Sequence, residues 1–213
     1  MPNRRYEDRN ALVGRVPEHF LRFSDIVSAA ATCTRCNGMA ERTAVLGSAN
    51  GPVPAALMFI AEAPGRFGAD RTGVPLYGDR SGSNFDALIN EAGLKREDLF
   101  ITNAVLCNPR DECGRNRKPS KRELLNCSRF LAAQLDIATP KIVATLGATA
   151  LEALRMLEPH DLSLAVHAGR PHMWRGVILM PLYHPSPRAR VHRSLVCQKG
   201  DFLSLADLVF SVS

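Results

Sequence analysis

The chain has 213 residues, 46% of them hydrophobic and 23% charged, and carries a net charge of +6. That composition fits an α/β domain with a substantial core and excludes a long disordered or fibrous chain. No apolar run is long enough to span a bilayer, and the amino terminus, Met1-Pro-Asn-Arg-Arg-Tyr-Glu-Asp8, lacks the apolar stretch of a secretory signal.

A cytoplasmic protein without membrane contact is therefore expected. In that reducing compartment the six cysteines read as metal ligands or buried thiols rather than disulfides. The basic balance is a weak pointer to a polyanionic partner, since solubility alone often produces a similar excess.

Taken in chain order, Pro17 to Ala31 shows helical spacing of Phe20, Leu21, Phe23, Ile26 and Val27, and leads into the turn Cys33-Thr-Arg-Cys36. Residues 1–32 thus read as a helical extension to a domain spanning 1–213. Ala56-Leu-Met-Phe-Ile-Ala61 is a short continuous apolar run, the pattern of a strand buried on both faces. A loop rich in Gly, Arg and Asp follows, from Pro64 to Gly82. Ser83 or Asn84 is placed to cap a helix with Phe85, Leu88 and Ile89 on one face.

Leu99 to Val105 is a second buried strand, followed by a basic loop from Asn108 to Lys118. Pro119-Ser-Lys-Arg-Glu123 opens a helix carrying Leu124, Leu125, Phe130, Leu131 and Leu135. Lys141 to Gly147 is a third strand running into a helix over Ala148–Leu157. Gly176 to Leu182 is a fourth, with His184 at its exit, and a helix from Asp201 to Phe210 closes the chain. Alternating strands and helices predict a three-layer α/β/α domain around a mainly parallel, four-stranded sheet. The functional loops of such sheets leave the carboxyl ends of the strands.

Four segments carry chemistry: Ala61-Glu-Ala-Pro-Gly65, the loop from Gly68 to Gly82, Thr102-Asn-Ala-Val-Leu-Cys107 and His184-Pro-Ser-Pro-Arg188. In this order, with the cysteine set, they resemble the iron–sulfur branches of the uracil-DNA glycosylase superfamily, families four and five. Glu62-Ala-Pro-Gly65 is similar to family four, and Gly78-Asp-Arg-Ser-Gly82 to family five. The chain departs from family four at Gly68, where that family has an acid. It departs from both at Leu76, where they place a phenylalanine and this chain continues with Tyr77.

The resemblance implies a monofunctional DNA repair enzyme, a monomer, that hydrolyses the bond between deoxyribose and uracil in DNA and leaves an abasic site. Its range is expected to extend to deaminated purines. Such an enzyme extrudes the nucleotide, reads the base edge, stabilises charge on the departing base and delivers water. By resemblance Asp70 handles the water, with Glu62 and Asp79 as reserve carboxylates; an aspartate between Gly and Arg otherwise commonly caps a turn. Asn103 presents a donor and an acceptor, matching the adjacent carbonyl and imide of uracil.

His184 would donate to the base oxygen that gains charge. Ala63, Pro64, Gly65, Leu76, Tyr77, Ser186 and Arg188 complete the expected substrate site. Arg188, Arg190 and Arg193 lie in a loop similar to the superfamily's intercalating segment, placed for phosphate contacts.

Cys33, Cys36, Cys107 and Cys127 are four thiolates drawn from distant parts of the chain, a set that zinc or a [4Fe–4S] cluster accepts equally well on spacing alone. The resemblance implies the cluster. Two other readings stay open. The chain is a non-catalytic relative that holds uracil-containing DNA, or a covalent uracil-capturing relative. The second branch places a histidine after the third cysteine, and no histidine lies between Cys107 and Cys127.

Overall fold

The computed structural model describes residues 22–39 and 41–212. Helix α1 (Phe23–Ala31) fulfils the described part of the amino-terminal helical expectation, while residues 17–21 lie outside the described residues. Strand β1 (Leu57–Ala61) follows, then a one-turn helix α2 (Ala69–Thr72) and helix α3 (Arg80–Glu91). Strand β2 (Leu99–Asn103), helix α4 (Lys121–Ala138), strand β3 (Ile142–Leu146) and helix α5 (Ala148–Leu157) continue the alternation. The chain then runs through a short α6 (Leu164–His167), strands β4 (His172–Trp174) and β5 (Val177–Leu182), and the long α7 (Leu195–Val212).

Among the described residues the sheet has five strands in the order β2-β1-β3-β5-β4, parallel except for β4 at its edge. The four expected strands are all present. The fifth, three residues long, pairs antiparallel with β5, and so short a segment carries no period to detect.

Each central strand is buried on both faces, so its alternate residues feed two separate cores. Met58, Ile60, Phe100, Val143 and Leu179 pack beneath α1, α4 and α5. Leu57, Phe59, Ile101, Ala144 and Met180 pack beneath α3 and α7. Phe59 anchors the second core, edge-on to Phe85 at 5.1 Å and stacked on Phe202 at 5.9 Å. Burying a ring of that size is worth roughly 1.5–3 kcal/mol.

Two helix starts differ from the sequence expectation. Asp79, not Ser83 or Asn84, caps α3: its carboxylate accepts from the Gly82 N–H at 2.9 Å. The helix begins early because Gly82 has no side chain. A Cβ there would stand 2.6 Å from the Leu76 carbonyl oxygen, so only glycine lets the first turn close on the preceding loop. Helix α7 begins at Leu195 rather than Asp201, because the polar stretch Gln198-Lys-Gly-Asp201 is wound into its first two turns.

The chain steps from β1 outward to β2 and then returns to the other side of β1 to form β3. That reversal opens a crevice beyond the carboxyl ends of β1 and β3, where ligands of such sheets bind. No helix among the described residues is long and apolar enough to cross a membrane.

Candidate active site

The crevice is a cleft of about 1060 Å³ whose walls come from four neighbouring strand exits. Glu62 leaves β1, Asn103 ends β2, Gly147 and Thr149 follow β3, and His184 follows β5. Backbone pairing continues past the strands and fixes these exits side by side. Val105 N–H donates to the Glu62 carbonyl at 3.1 Å, and Gly147 N–H to the Leu182 carbonyl at 2.8 Å. Gly147 sits at φ +98°, with its missing Cβ position 3.5 Å from the His184 Cβ, so the histidine backbone lies close against the β3 exit.

Asn103 is 2% exposed, and its Nδ2 is buried without a hydrogen-bond partner among the described residues. Leaving such a group unpaired costs about 1–3 kcal/mol, so an amide in this state is a site awaiting an acceptor. His184 is held differently. Its Nδ1 accepts the Ser186 N–H at 3.1 Å, so the neutral ring carries its proton on Nε2. Burial pushes its pKa below the ordinary histidine value, while the nearby Asp79 charge pulls the opposite way. The cleft therefore contains a neutral imidazole whose free nitrogen is a donor.

Two carboxylates line the same cleft. Glu62 accepts a hydrogen bond from Thr149 Oγ1, which ties it to the first turn of α5. Asp79 uses one oxygen as the α3 cap. Its other oxygen lies 2.8 and 2.6 Å from where Cβ atoms on Gly65 and Gly68 would be. The departure at Gly68 thereby gains a physical reason, since an acidic side chain there would collide with Asp79.

The expected residues divide accordingly. Ala63, Pro64, Gly65, Leu76, Ser186 and Arg188 line the cleft with Glu62, Asn103 and His184. Leu76 does so at φ +48°, while the next side chain, Tyr77, is 51% exposed and lines no part of it. Asp70 also lies off the cleft walls, where the one-turn helix α2 sends its carboxylate into an ion pair with Arg110.

The sequence reading missed Thr149, Asn108 and Asn116. Thr149 opens a helix just after a strand, a recognisable position for a donor toward the sheet edge. The two asparagines are hidden within a loop that reads only as basic.

Behind the β2 exit, Cys33, Cys36, Cys107 and Cys127 line a single small cavity walled by Ala30, Met39, Leu106 and Phe130. Burial, reinforced by the neighbouring sulfurs, raises the Cys107 thiol to about 11 and the Cys127 thiol to about 12. Among the described residues, no three His, Cys, Asp or Glu side chains are arranged to hold a single ion. Four thiols around one cavity are nonetheless a donor set that a metal centre takes as thiolates.

Two side chains reach the sulfurs from outside. Asn126 Nδ2 donates to Cys36 Sγ at 3.3 Å, and Arg129 Nη2 lies 3.9 Å from Cys33 Sγ. The Arg129 guanidinium stacks 4.3 Å over Phe130, leaving its buried Nε without a partner among the described residues.

Comparison with known proteins identifies the family. A family model described as the uracil DNA glycosylase superfamily matches residues 49–204. A type-4 uracil-DNA glycosylase of Thermotoga maritima is 36% identical over 156 residues, covering 72% of this chain and 76% of its own. One from Sulfurisphaera tokodaii is 34% identical over 162 residues, covering 73% and 70%. A type-5 uracil-DNA glycosylase of Pyrobaculum aerophilum is 31% identical over 150 residues, 64% of each chain. The matched stretch contains every strand of the sheet and every wall of the cleft, and the chain belongs to the uracil-DNA glycosylase superfamily.

Proposed function

We propose that this protein is a monofunctional uracil-DNA glycosylase that hydrolyses the N-glycosidic bond of a flipped deoxyuridine. The observation that carries the reading is the pairing, in one cleft, of an unpartnered buried amide on Asn103 with a neutral His184 offering its Nε2–H. Uracil presents an edge of alternating carbonyl and imide groups that such an amide matches, donor to carbonyl and acceptor to imide.

As the bond from C1′ to the base breaks, its electron pair moves onto the base and collects on a carbonyl oxygen. A neutral imidazole donor stabilises that oxygen without giving up its proton. Removing one donor of this kind typically costs about 2.7–4 kcal/mol of transition-state stabilisation.

Glu62 is the carboxylate we place beside the attacking water. Its Thr149 contact fixes one oxygen and leaves the other for the water, whose oxygen bonds to C1′ while its proton moves to the carboxylate. The negative charge also supports the cationic sugar. Asp79 is the second negative charge at the cleft, close enough to act on His184.

Asp70, turned toward Arg110, serves the loop rather than the water. The products are free base and an abasic site. Leu76 in the wall leaves more room than a ring would, which supports a range reaching hypoxanthine and xanthine.

Arg188 lines the cleft, and Arg190 is steadied by Asn84 Oδ1 at 3.2 Å. With Arg115, Arg117 and Lys118, which line the same cleft, they form the phosphate-contacting surface for DNA. Cys33, Cys36, Cys107 and Cys127 would hold a [4Fe–4S] cluster, a group that cross-links distant chain segments and takes no part in the hydrolysis.

The test is release of uracil from a labelled oligonucleotide by wild type, Glu62→Gln, Asp79→Asn, Asn103→Ala and His184→Ala. Free uracil and an alkali-labile site are expected from wild type alone at full rate. Binding without release would sink the enzymatic reading, and a protein–DNA adduct surviving denaturation would replace it with covalent capture.

A further inference from the structure

Asn108 is polar, 1% exposed and directly follows Cys107, yet the hydrolysis derived above makes no use of it. Its side chain is committed in three directions. Nδ2 donates to the Pro64 carbonyl at 2.5 Å and to Asn116 Oδ1 at 3.0 Å, while Oδ1 accepts from Arg110 Nε at 2.6 Å. The same network reaches the β1 exit twice more. Arg66 N–H donates to Asn116 Oδ1 at 3.0 Å, and Arg66 Nη1 to the Gly114 carbonyl at 2.9 Å. Arg110, oriented by Asn108, completes the link by pairing with Asp70.

Four of these bonds cross between two loops, and the two from Asn108 to Asn116 and Arg110 brace the second loop from within. One runs from Glu62 to Asp70 and carries the water-side carboxylate. The other runs from Cys107 to Arg117 and begins at a thiol of the cysteine cage. Pro64 lies two residues from Glu62 and lacks an N–H of its own, so its carbonyl is the one backbone polar group it offers, and Asn108 takes it.

We propose that Asn108 is a positioning residue: it clamps the Glu62–Asp70 loop to the cysteine-bearing loop and so sets where the Glu62 carboxylate stands in the cleft. The proposal rests on the glycosylase reading for its kinetic consequence, but not for its structural one. The arrangement also gives any group held by Cys107 a structural route to the loop that carries Glu62, because Asn108 is the next residue. Whatever fixes Cys107 fixes Asn108, and Asn108 fixes the loop that carries the acid.

The experiment compares wild type, Asn108→Ala, Asn108→Asp and the milder Asn116→Ala in the metal-loaded protein. Four quantities are read: single-turnover uracil release, affinity for uracil-containing DNA, iron per chain, and amide hydrogen exchange across residues 62–71. A misplacement of about 1 Å costs about 100-fold in such sites, so Asn108→Ala is expected to slow release ~10- to 100-fold.

DNA affinity should stay within about threefold and iron per chain should not change, since the substituted atoms are committed to Pro64, Asn116 and Arg110. Exchange of residues 65–70 should rise at least tenfold. Asn108→Asp keeps the acceptor for Arg110 but loses both donors, and should remain slow. Asn116→Ala, altered at an exposed position, should fall between wild type and Asn108→Ala.

Wild-type exchange in the loop of Asn108→Ala, or a rate loss that merely follows lost iron or lost DNA binding, would overturn the proposal. If wild type releases no uracil, the glycosylase reading fails separately, and the exchange data still decide whether the clamp exists.

Discussion

The cleft and the cysteine cage are built on opposite principles, although both begin at the β2 exit, where Asn103 and Cys107 stand four residues apart. The cleft is wide and keeps polar groups open, with an amide nitrogen unpaired on Asn103 and a neutral donor on His184. The cage is small and apolar, and burial holds its thiols far above their ordinary pKa. An unpaired amide is tolerable where a ligand visits and leaves. Buried thiols beside one another suit a permanent occupant that takes them as thiolates and releases their protons. One region is prepared for turnover, the other for retention.

The largest expected effect attacks retention. Cys127 is buried inside α4 and faces the cage, so Cys127→Ser removes one of the four proposed ligands and strands a hydroxyl among apolar walls. Iron per chain should fall by more than half and visible absorbance near 400 nm should disappear. The unfolding midpoint should drop by about 5–15 °C, as expected for a loss of several kcal/mol in a chain of this size. Retained iron with an unchanged midpoint would show that Cys127 is an inert core thiol.

Next in size is the turnover side. His184→Ala should lower the single-turnover rate about 10²- to 10³-fold with little change in DNA affinity, because the imidazole acts on charge that appears only as the bond breaks. The acid side of the pH profile should share this origin. Burial lowers the His184 pKa, so the ring stays neutral through ordinary histidine titration and the rate should hold below pH 6.5. The sign for stability is the same. The unfolded chain takes up the proton first, so the contribution of His184 is present above its unfolded pKa and is lost as pH falls toward its folded value. An activity midpoint at or above 6.5 that vanishes in His184→Gln would contradict a depressed pKa.

Much of this was readable beforehand, and what was not has local causes. The apolar run ending at Ala61, the polar Asn103 closing an apolar strand and His184 before a proline are visible in sequence because strand burial forces those patterns. The choice among Asp70, Glu62 and Asp79 was not. All three sit in or beside one glycine-rich loop, and which carboxylate faces inward depends on backbone turns at Gly68, Leu76 and Gly78. Space left by glycine brought Asp79 in, and a single helical turn sent Asp70 out. Tyr77 failed as a pocket residue for the same reason: Leu76, in the left-handed region, takes the inward position and its neighbour faces solvent.

A smaller effect tests the loop that made those choices. Gly82→Ala would place a methyl carbon 2.6 Å from the Leu76 carbonyl, a backbone atom that cannot swing aside like a side chain. Relief requires the first turn of α3 to lift, which disturbs the Asp79 cap and the Leu76 wall together. A destabilisation of about 1–3 kcal/mol is expected, with a change in the ratio of uracil to hypoxanthine cleavage. Stability lost with that ratio unchanged would mean that Leu76 does not shape the base pocket.

The smallest effect probes whether retention and turnover are separable. Arg129 approaches Cys33 from outside the cage and belongs to no wall of the cleft. Four thiolates around the proposed cluster would leave a net negative charge in an apolar surround, and a guanidinium at this distance would offset part of it. Arg129→Gln keeps a planar donor but removes the charge. Iron should then be lost about 10-fold faster to a chelator, the lower end of what outer contacts to metal ligands usually cost. Uracil release by the freshly loaded protein should stay within about twofold of wild type, since the Asn108 contacts remain intact. Chelator resistance equal to wild type would remove Arg129 from the account of the cage. A slowed reaction with undiminished iron would join the two regions by a route other than the loop from Cys107 to Arg117.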